Sequence, residues 1–195
     1  MGDVETPDEE TIEDEPSIDE TEEAAGDDDV VDEAAGPPEE QLHGVPVRSA
    51  FGQDVLFPAI DAYYELIEEL QTEGFNQVID LCGVDYLHHD RTDLPASVTP
   101  ERFEIVVNLL SHTRRQRIRV RVQVAEGGTV PSLFDVHPGT EAMEREAFDM
   151  FGVSFDDHPD MSRILMPETW TGHPLRKDFD TGRIPVQFKD APGQS

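Results

Sequence analysis

The chain has one cysteine, Cys82, in 195 residues. A single thiol excludes an intrachain disulfide and falls short of the several thiolates that iron–sulfur and zinc sites use. No apolar run approaches the roughly 20 residues of a membrane-spanning helix. The first residues carry neither a basic n-region nor an apolar stretch, so no export signal is expected. Basic residues are scarce: 14 Lys and Arg stand against 44 Asp and Glu, for a formal charge of −30. Nucleic acid is not expected as a partner, because neutralising phosphates takes a basic face. Gly127-Gly128 is followed by no phosphate-loop pattern, and His88, His89, His137, His158 and His173 lack the compact spacing of a metal-binding helix face.

The charge is unevenly placed. Residues 1–40 hold 19 of the acidic residues and no Lys, Arg or aromatic residue. Such a segment buries too little apolar surface to offset its chain entropy, and it reads as a disordered acidic tail. Residues 41–152 read as one α+β domain. The stretch 41–57 looks like a lead-in with little periodicity. Pro58 is placed to open a helix, with Ile60, Tyr63, Tyr64, Ile67 and Leu70 at helical spacing and Gly74 to stop it. Strands are expected at Gln77–His88, Arg102–Leu110 and Arg117–Val124, the last two as an antiparallel hairpin joined by a short polar link. The loop His89–Glu101 lies between. On the third strand Arg117, Arg119 and Arg121 share one face, read as solvated or paired across strands with Glu104 and Asp80. Helices packed on a small, mainly antiparallel sheet are the expected architecture.

A second helix fits Glu141–Phe151, with Thr140 as N-cap and Gly152 just past its end. On its wheel Glu144 falls on the aromatic side, while Glu141, Arg145 and Asp149 form an outward ladder. Two readings of Glu144 stand: a helix-edge carboxylate satisfied by water or Arg, or a desolvated carboxylate needing a cation such as Arg163 or Arg176. Glu144, Glu146 and Asp149 do not converge on one face, so an acid/base pair made from them is not expected.

Residues 153–195 hold no long periodic element. They carry Phe155, Ile164, Leu165, Met166, Trp170, Leu175, Phe179 and Phe188 between Pro159, Pro167, Pro174 and Pro185. Apolar anchors on a proline-stiffened backbone suit an extended strap that lies on a partner protein or on its own domain.

The run Glu144-Arg145-Glu146-Ala147-Phe148-Asp149-Met150-Phe151-Gly152 is followed by His158-Pro159-Asp160, by Arg163-Ile164-Leu165-Met166-Pro167 and Trp170, and by Gly172-His173-Pro174-Leu175-Arg176-Lys177-Asp178-Phe179. This ordered series resembles the C-type (30 kDa-type) subunit of bacterial proton-translocating NADH:quinone oxidoreductase, respiratory complex I, over roughly residues 55–190. The resemblance implies a structural and assembly protein without catalysis of its own. It would sit in the hydrophilic arm against the D-type and B-type subunits, peripheral on the cytoplasmic side of the membrane. It implies no cofactor or metal in this chain, with FMN, iron–sulfur clusters, NADH and quinone handled elsewhere in the complex. The motif residues Glu144, Arg145, Glu146, Asp149, Phe151, Gly152, His158, Pro159, Asp160, Arg163, Pro167, Trp170, Gly172, His173, Pro174, Arg176, Lys177 and Asp178 are the candidate interface. An equivalent subunit of a membrane-bound hydrogenase or of a dehydrogenase with another donor is the nearest alternative; an independent carboxylate enzyme is a remote one.

Overall fold

A computed structural model describes residues 39–180 and Gly182. The acidic segment up to residue 38 and most residues past 180, with Pro185 and Phe188, lie outside the described residues.

The stretch read as a lead-in forms three short strands, β1 (Gln41–Leu42), β2 (Val45–Ala50) and β3 (Gln53–Leu56). Each neighbouring pair is joined by a two-residue turn, His43-Gly44 and Phe51-Gly52, with positive φ at both residues (55° and 73°; 54° and 74°). Positive φ at both central positions matches the right-handed twist of a tight hairpin. The strands are too short and mixed in polarity to display alternation, which is why the sequence hides them. Helix α1 spans Tyr63–Thr72 and does not begin at Pro58. Phe57 still belongs to the sheet margin, its amide donating to the Pro46 carbonyl at 2.9 Å, so the chain at Pro58 is only leaving a strand. Ile60 is accordingly exposed, whereas Tyr63, Leu66, Ile67 and Leu70 are buried. Gly74, at φ 103°, ends the helix as expected.

Strands β4 (Gln77–Asp85), β5 (Phe103–Ser111) and β6 (Gln116–Val124) complete a six-stranded sheet of order β1-β2-β3-β6-β5-β4. Every neighbour pair is antiparallel except β3–β6, which is parallel, so the sheet is mixed and larger than expected. The register places Phe103 opposite Val124, Ile105 opposite Val122, Val107 opposite Val120 and Leu109 opposite Ile118, all buried. With side chains alternating every residue, these four pairs make one apolar face, joined in a single core cluster by the buried side chains of α1 and by Leu81, Ala147 and Phe155. The opposite face carries Glu104, Asn108, Arg117, Arg119, Arg121 and Gln123.

A single turn of 3-10 helix, Pro138–Thr140, leads into α2 (Glu141–Phe151). Thr140 does not cap it: its backbone is helical and its hydroxyl donates to the His137 carbonyl at 3.0 Å. Gly152, at φ 78°, closes the helix with its amide on the Phe148 carbonyl. Past residue 152 the chain still belongs to the folded body. Strand β8 (Ser154–Asp156) pairs in parallel with β7 (Thr129–Pro131), and Val153 and Phe155 enter the core.

Helix α2 lies close against β4 at Gly83, where an added Cβ would stand 2.7 Å from the Phe151 ring. Gly83→Val should therefore push α2 off the sheet and lower stability by about 1–3 kcal/mol, the usual cost of overpacking. Urea denaturation measures this, and a midpoint equal to that of the unaltered chain would contradict the close approach.

Candidate functional site

Asp149 organises the segment after β8. Expected on an outward ladder, it is fully buried. Its Oδ2 accepts three consecutive amides, those of Ile164 (3.1 Å), Leu165 (2.8 Å) and Met166 (2.8 Å). Oδ1 accepts from the Arg163 guanidinium, whose other nitrogen donates to the Gly172 carbonyl at 2.9 Å. Burial pushes the Asp149 carboxyl up, yet the Met166 amide, the Arg163 guanidinium and the amides of Leu165 and Ile164 outweigh it and hold its pKa below the ordinary carboxylate range. An ionised carboxylate with a full set of charge-assisted donors is the one kind of buried charge that stabilises its surroundings.

The neighbouring motif residues are anchors of the same strap. Arg145 donates to the Ser162 carbonyl (3.1 Å), the Ser162 hydroxyl (2.7 Å) and the Arg163 carbonyl (3.2 Å). The His158 ring accepts the Asp160 amide at Nδ1 (3.0 Å), so its proton sits on Nε2, which donates to the Glu141 carbonyl (3.1 Å). His173 donates from Nδ1 to the Asp149 carbonyl (3.0 Å) and stacks edge-on with Phe148. Its ring occupies the space above Gly152, where an added Cβ would stand 2.7 Å away. Farther along, the Leu175 amide donates to the Met150 carbonyl (3.0 Å) and the Lys177 amide to Asp85 (2.8 Å). Arg102 pairs with Asp85 (3.1 Å) and Asp178 (2.7 Å), and Arg176 pairs with Glu126. Trp170 stacks on Phe179, whose ring also lies against Gly172 (φ 87°). Glu146, Pro159 and Pro167 are exposed.

Glu144 is desolvated but meets no arginine. The expected pairing with Arg163 or Arg176 is replaced by two neutral donors: the Ser132 hydroxyl at 2.6 Å and the Leu133 amide at 2.8 Å. It ties the segment after β7 to α2. Burial pushes its carboxyl above the ordinary range, against the lowering pull of Ser132, Leu133, Thr140 and His158.

On the sheet's polar face Arg121 is committed to an internal network that the sequence pattern only half anticipates, while Arg119 bonds Asn108 and Arg117 is exposed. Buried Glu104 accepts from Arg91 (2.6 Å), Arg121 (2.7 and 3.0 Å) and Gln123 (2.5 Å). Asp93 bridges Arg121 (2.6 Å) and Arg91 (3.1 Å), and its pKa is held at about 2: burial raises it, and the two arginines outweigh burial. Asp80 forms no ion pair among the described residues. Arg91 lies 3.6 Å above the Tyr86 ring, which pins the loop His89–Glu101 at its start. The hints were Arg91 and Asp93 at the head of that loop, opposite Arg121.

With these polar groups turned inward, the strap presents apolar side chains outward. Leu165 is 60% exposed, Leu175 50% and Ile164 39%. Among the described residues no helix is long and apolar enough to cross a membrane.

The model of the family described as "Respiratory-chain NADH dehydrogenase, 30 Kd subunit" matches residues 59–184. The chain belongs to this family. A relative from Phenylobacterium zucineum, named as the C subunit of NADH-quinone oxidoreductase, is 49% identical over 118 residues, 60% of this chain and 52% of the relative. The protein of the same name from Saccharopolyspora erythraea is 37% identical over 158 residues, 76% of this chain and 60% of its own length. This 30 kDa-subunit family member thus spans about half to three-fifths of the length of the curated relatives it matches. Among solved structures, one titled "Nqo5 of the trypsin-resistant fragment (1-134)" is similar at 30% identity with TM-score 0.53, over 60% of this chain and 89% of that one. A chain of an archaeal membrane-bound sulfane sulfur reductase complex, at 17% identity and TM-score 0.54, shares the fold, over 77% of this chain and 90% of that one.

The Glu144 geometry sets a pH dependence. A carboxyl whose folded pKa is raised contributes its full stability below its unfolded value, and loses it as pH rises through the folded value. Glu144→Gln, which keeps an acceptor without the charge, should therefore gain on the unaltered chain as pH climbs from about 4 to about 7. Glu144→Ala should lose about 2 kcal/mol or more at either pH, leaving a buried hydroxyl and amide without an acceptor. Denaturant midpoints read both, and a Gln variant whose difference stays flat with pH would contradict the assignment.

Proposed function

We propose that this chain is a non-catalytic structural and assembly subunit of the hydrophilic arm of an NADH:quinone oxidoreductase. The host complex passes electrons from NADH through FMN and iron–sulfur clusters to quinone, coupled to proton translocation. Those groups are held by other subunits, and membrane association runs through partners on the cytoplasmic side. The partners are the D-type and B-type subunits.

One observation carries the reading. The motif residues that looked like an interface, Asp149, Arg145, His158, Arg163 and His173, spend their hydrogen bonds tying the strap to α2 and to itself, and the strap in turn offers Ile164, Leu165 and Leu175 to solvent. A rigid backbone carrying exposed aliphatic anchors binds with little ordering cost. Family membership supports the choice of complex. Residues 153–195 form the partner-binding segment.

Leu165→Asp tests this. Its side chain is 60% exposed and lies outside the core clusters, so thermal stability of the isolated chain should change by under about 0.5 kcal/mol. Co-purification with the D-type subunit from solubilised membranes should fall by about 30-fold or more, equivalent to a hot-spot loss of about 2 kcal/mol. Undiminished co-purification would move the interface elsewhere.

A further inference from the structure

At the end of the β5–β6 hairpin away from the strap, the charge of the molecule inverts. Residues 110–119 contain four of the chain's 14 basic residues, Arg114, Arg115, Arg117 and Arg119, together with His112, and no acid. Arg114 pairs with Glu73 (3.0 Å), His112 bonds Gln77 (2.8 Å) and Arg119 bonds Asn108 (3.0 Å). Arg115 and Arg117 are exposed and have no ion-pair or hydrogen-bond partner among the described residues. Beside them stands Phe51 at the β2–β3 turn, 100% exposed and at φ 54°. A bulky aromatic in the left-handed region is an outlier that folding alone does not favour. Phe51, Leu110, Arg115 and Arg117 line a shallow cleft of about 380 Å³. The nearby Asp54 is held by Gln116 at 3.3 Å.

The geometry points to a second docking surface, distinct from the strap, where Phe51 and the guanidinium groups of Arg115 and Arg117 receive a short acidic segment of a partner polypeptide. Arginine forks match carboxylates bidentately, and an exposed aromatic with flanking Arg is the composition of an interface anchor. Charge decides the class of partner. Outside residues 110–119 the sequence after residue 40 is acidic, with 25 Asp and Glu against 10 Lys and Arg. A membrane surface or a nucleic acid would extend past the patch and meet that repulsion, whereas a short acidic peptide seated on Phe51, Arg115 and Arg117 has only Asp54 as a nearby acid. The strap anchors Arg102 and Arg176 lie at the far end of strands nine residues long, about 27 Å away. The two surfaces can therefore be occupied at once.

This inference rests on the reading that the chain works within an assembly. A photoreactive benzoylphenylalanine at Phe51 of the full-length chain, irradiated in the solubilised respiratory complex, tests it by mass identification of the cross-linked peptide, with Asp90 as the control position. The expected result is one cross-linked segment of another subunit, net acidic over the ten residues around the attachment. Its yield should fall at least ten-fold in the Arg115→Glu/Arg117→Glu chain. Cross-linking no stronger than at Asp90, or to lipid, nucleic acid, residues 1–40 of this chain or a non-acidic segment, overturns the proposal, as does a yield indifferent to charge reversal. A chain retained in the complex without the cross-link sinks this proposal alone; a chain absent from the complex sinks the assembly reading as well.

Discussion

One buried carboxylate holds the strap in place. Asp149 sits on α2 with both oxygens occupied, one by three successive backbone amides of the strap and the other by Arg163. Three amides in a row can converge on one oxygen only if the backbone at Ile164–Met166 curls around it. The anion therefore dictates the shape of a segment that has no helix or strand to shape it. Hydrogen bonds to a charged acceptor are each worth about 1.5–3 kcal/mol net, enough together to offset the entropy of ordering several residues. The same curl turns Ile164 and Leu165 away from the protein. Fixing the backbone inward and presenting the side chains outward are a single geometric act.

The two buried carboxylates of α2 divide the work by their donors. Asp149 is met by a guanidinium and amides, stays readily ionised and faces the strap. Glu144 is met by a hydroxyl and an amide, is pushed toward its neutral form and faces the segment after β7. The helix is thus clasped on one side by a charge-assisted contact and on the other by a neutral one. His158 and His173 add a donor each to carbonyls of the same helix, while Gly152 leaves the room that the His173 ring fills.

What could be read in advance followed from periodicity. The alternation in β5 and β6 and the limits of α2 with Gly152 behind it are visible because each element is long enough to repeat. The three strands before α1 are not, since each has at most six residues and its signal resides in the His43-Gly44 and Phe51-Gly52 turns. The burial of Asp149 is hidden for a different reason. On a helical wheel it lies with Glu141 and Arg145, and a wheel cannot reveal that a later segment returns to cover that face. The Glu104–Arg91–Arg121–Asp93 network likewise joins residues up to 30 positions apart, so local pattern exposes only its cross-strand part. Nor does the motif series show that Arg145, Asp149, His158, Arg163 and His173 make these hydrogen bonds within the chain, because the partners lie nine or more positions away.

Amide hydrogen exchange of the isolated full-length chain at neutral pH measures the central claim directly. If Asp149 holds the strap without help from a partner, the amides of Ile164, Leu165 and Met166 should exchange far more slowly than those of the exposed loop around Asp90, approaching the rates of β5 and β6. Exchange of those three amides at the rate of an unstructured peptide would mean that the strap is ordered only when a partner covers it.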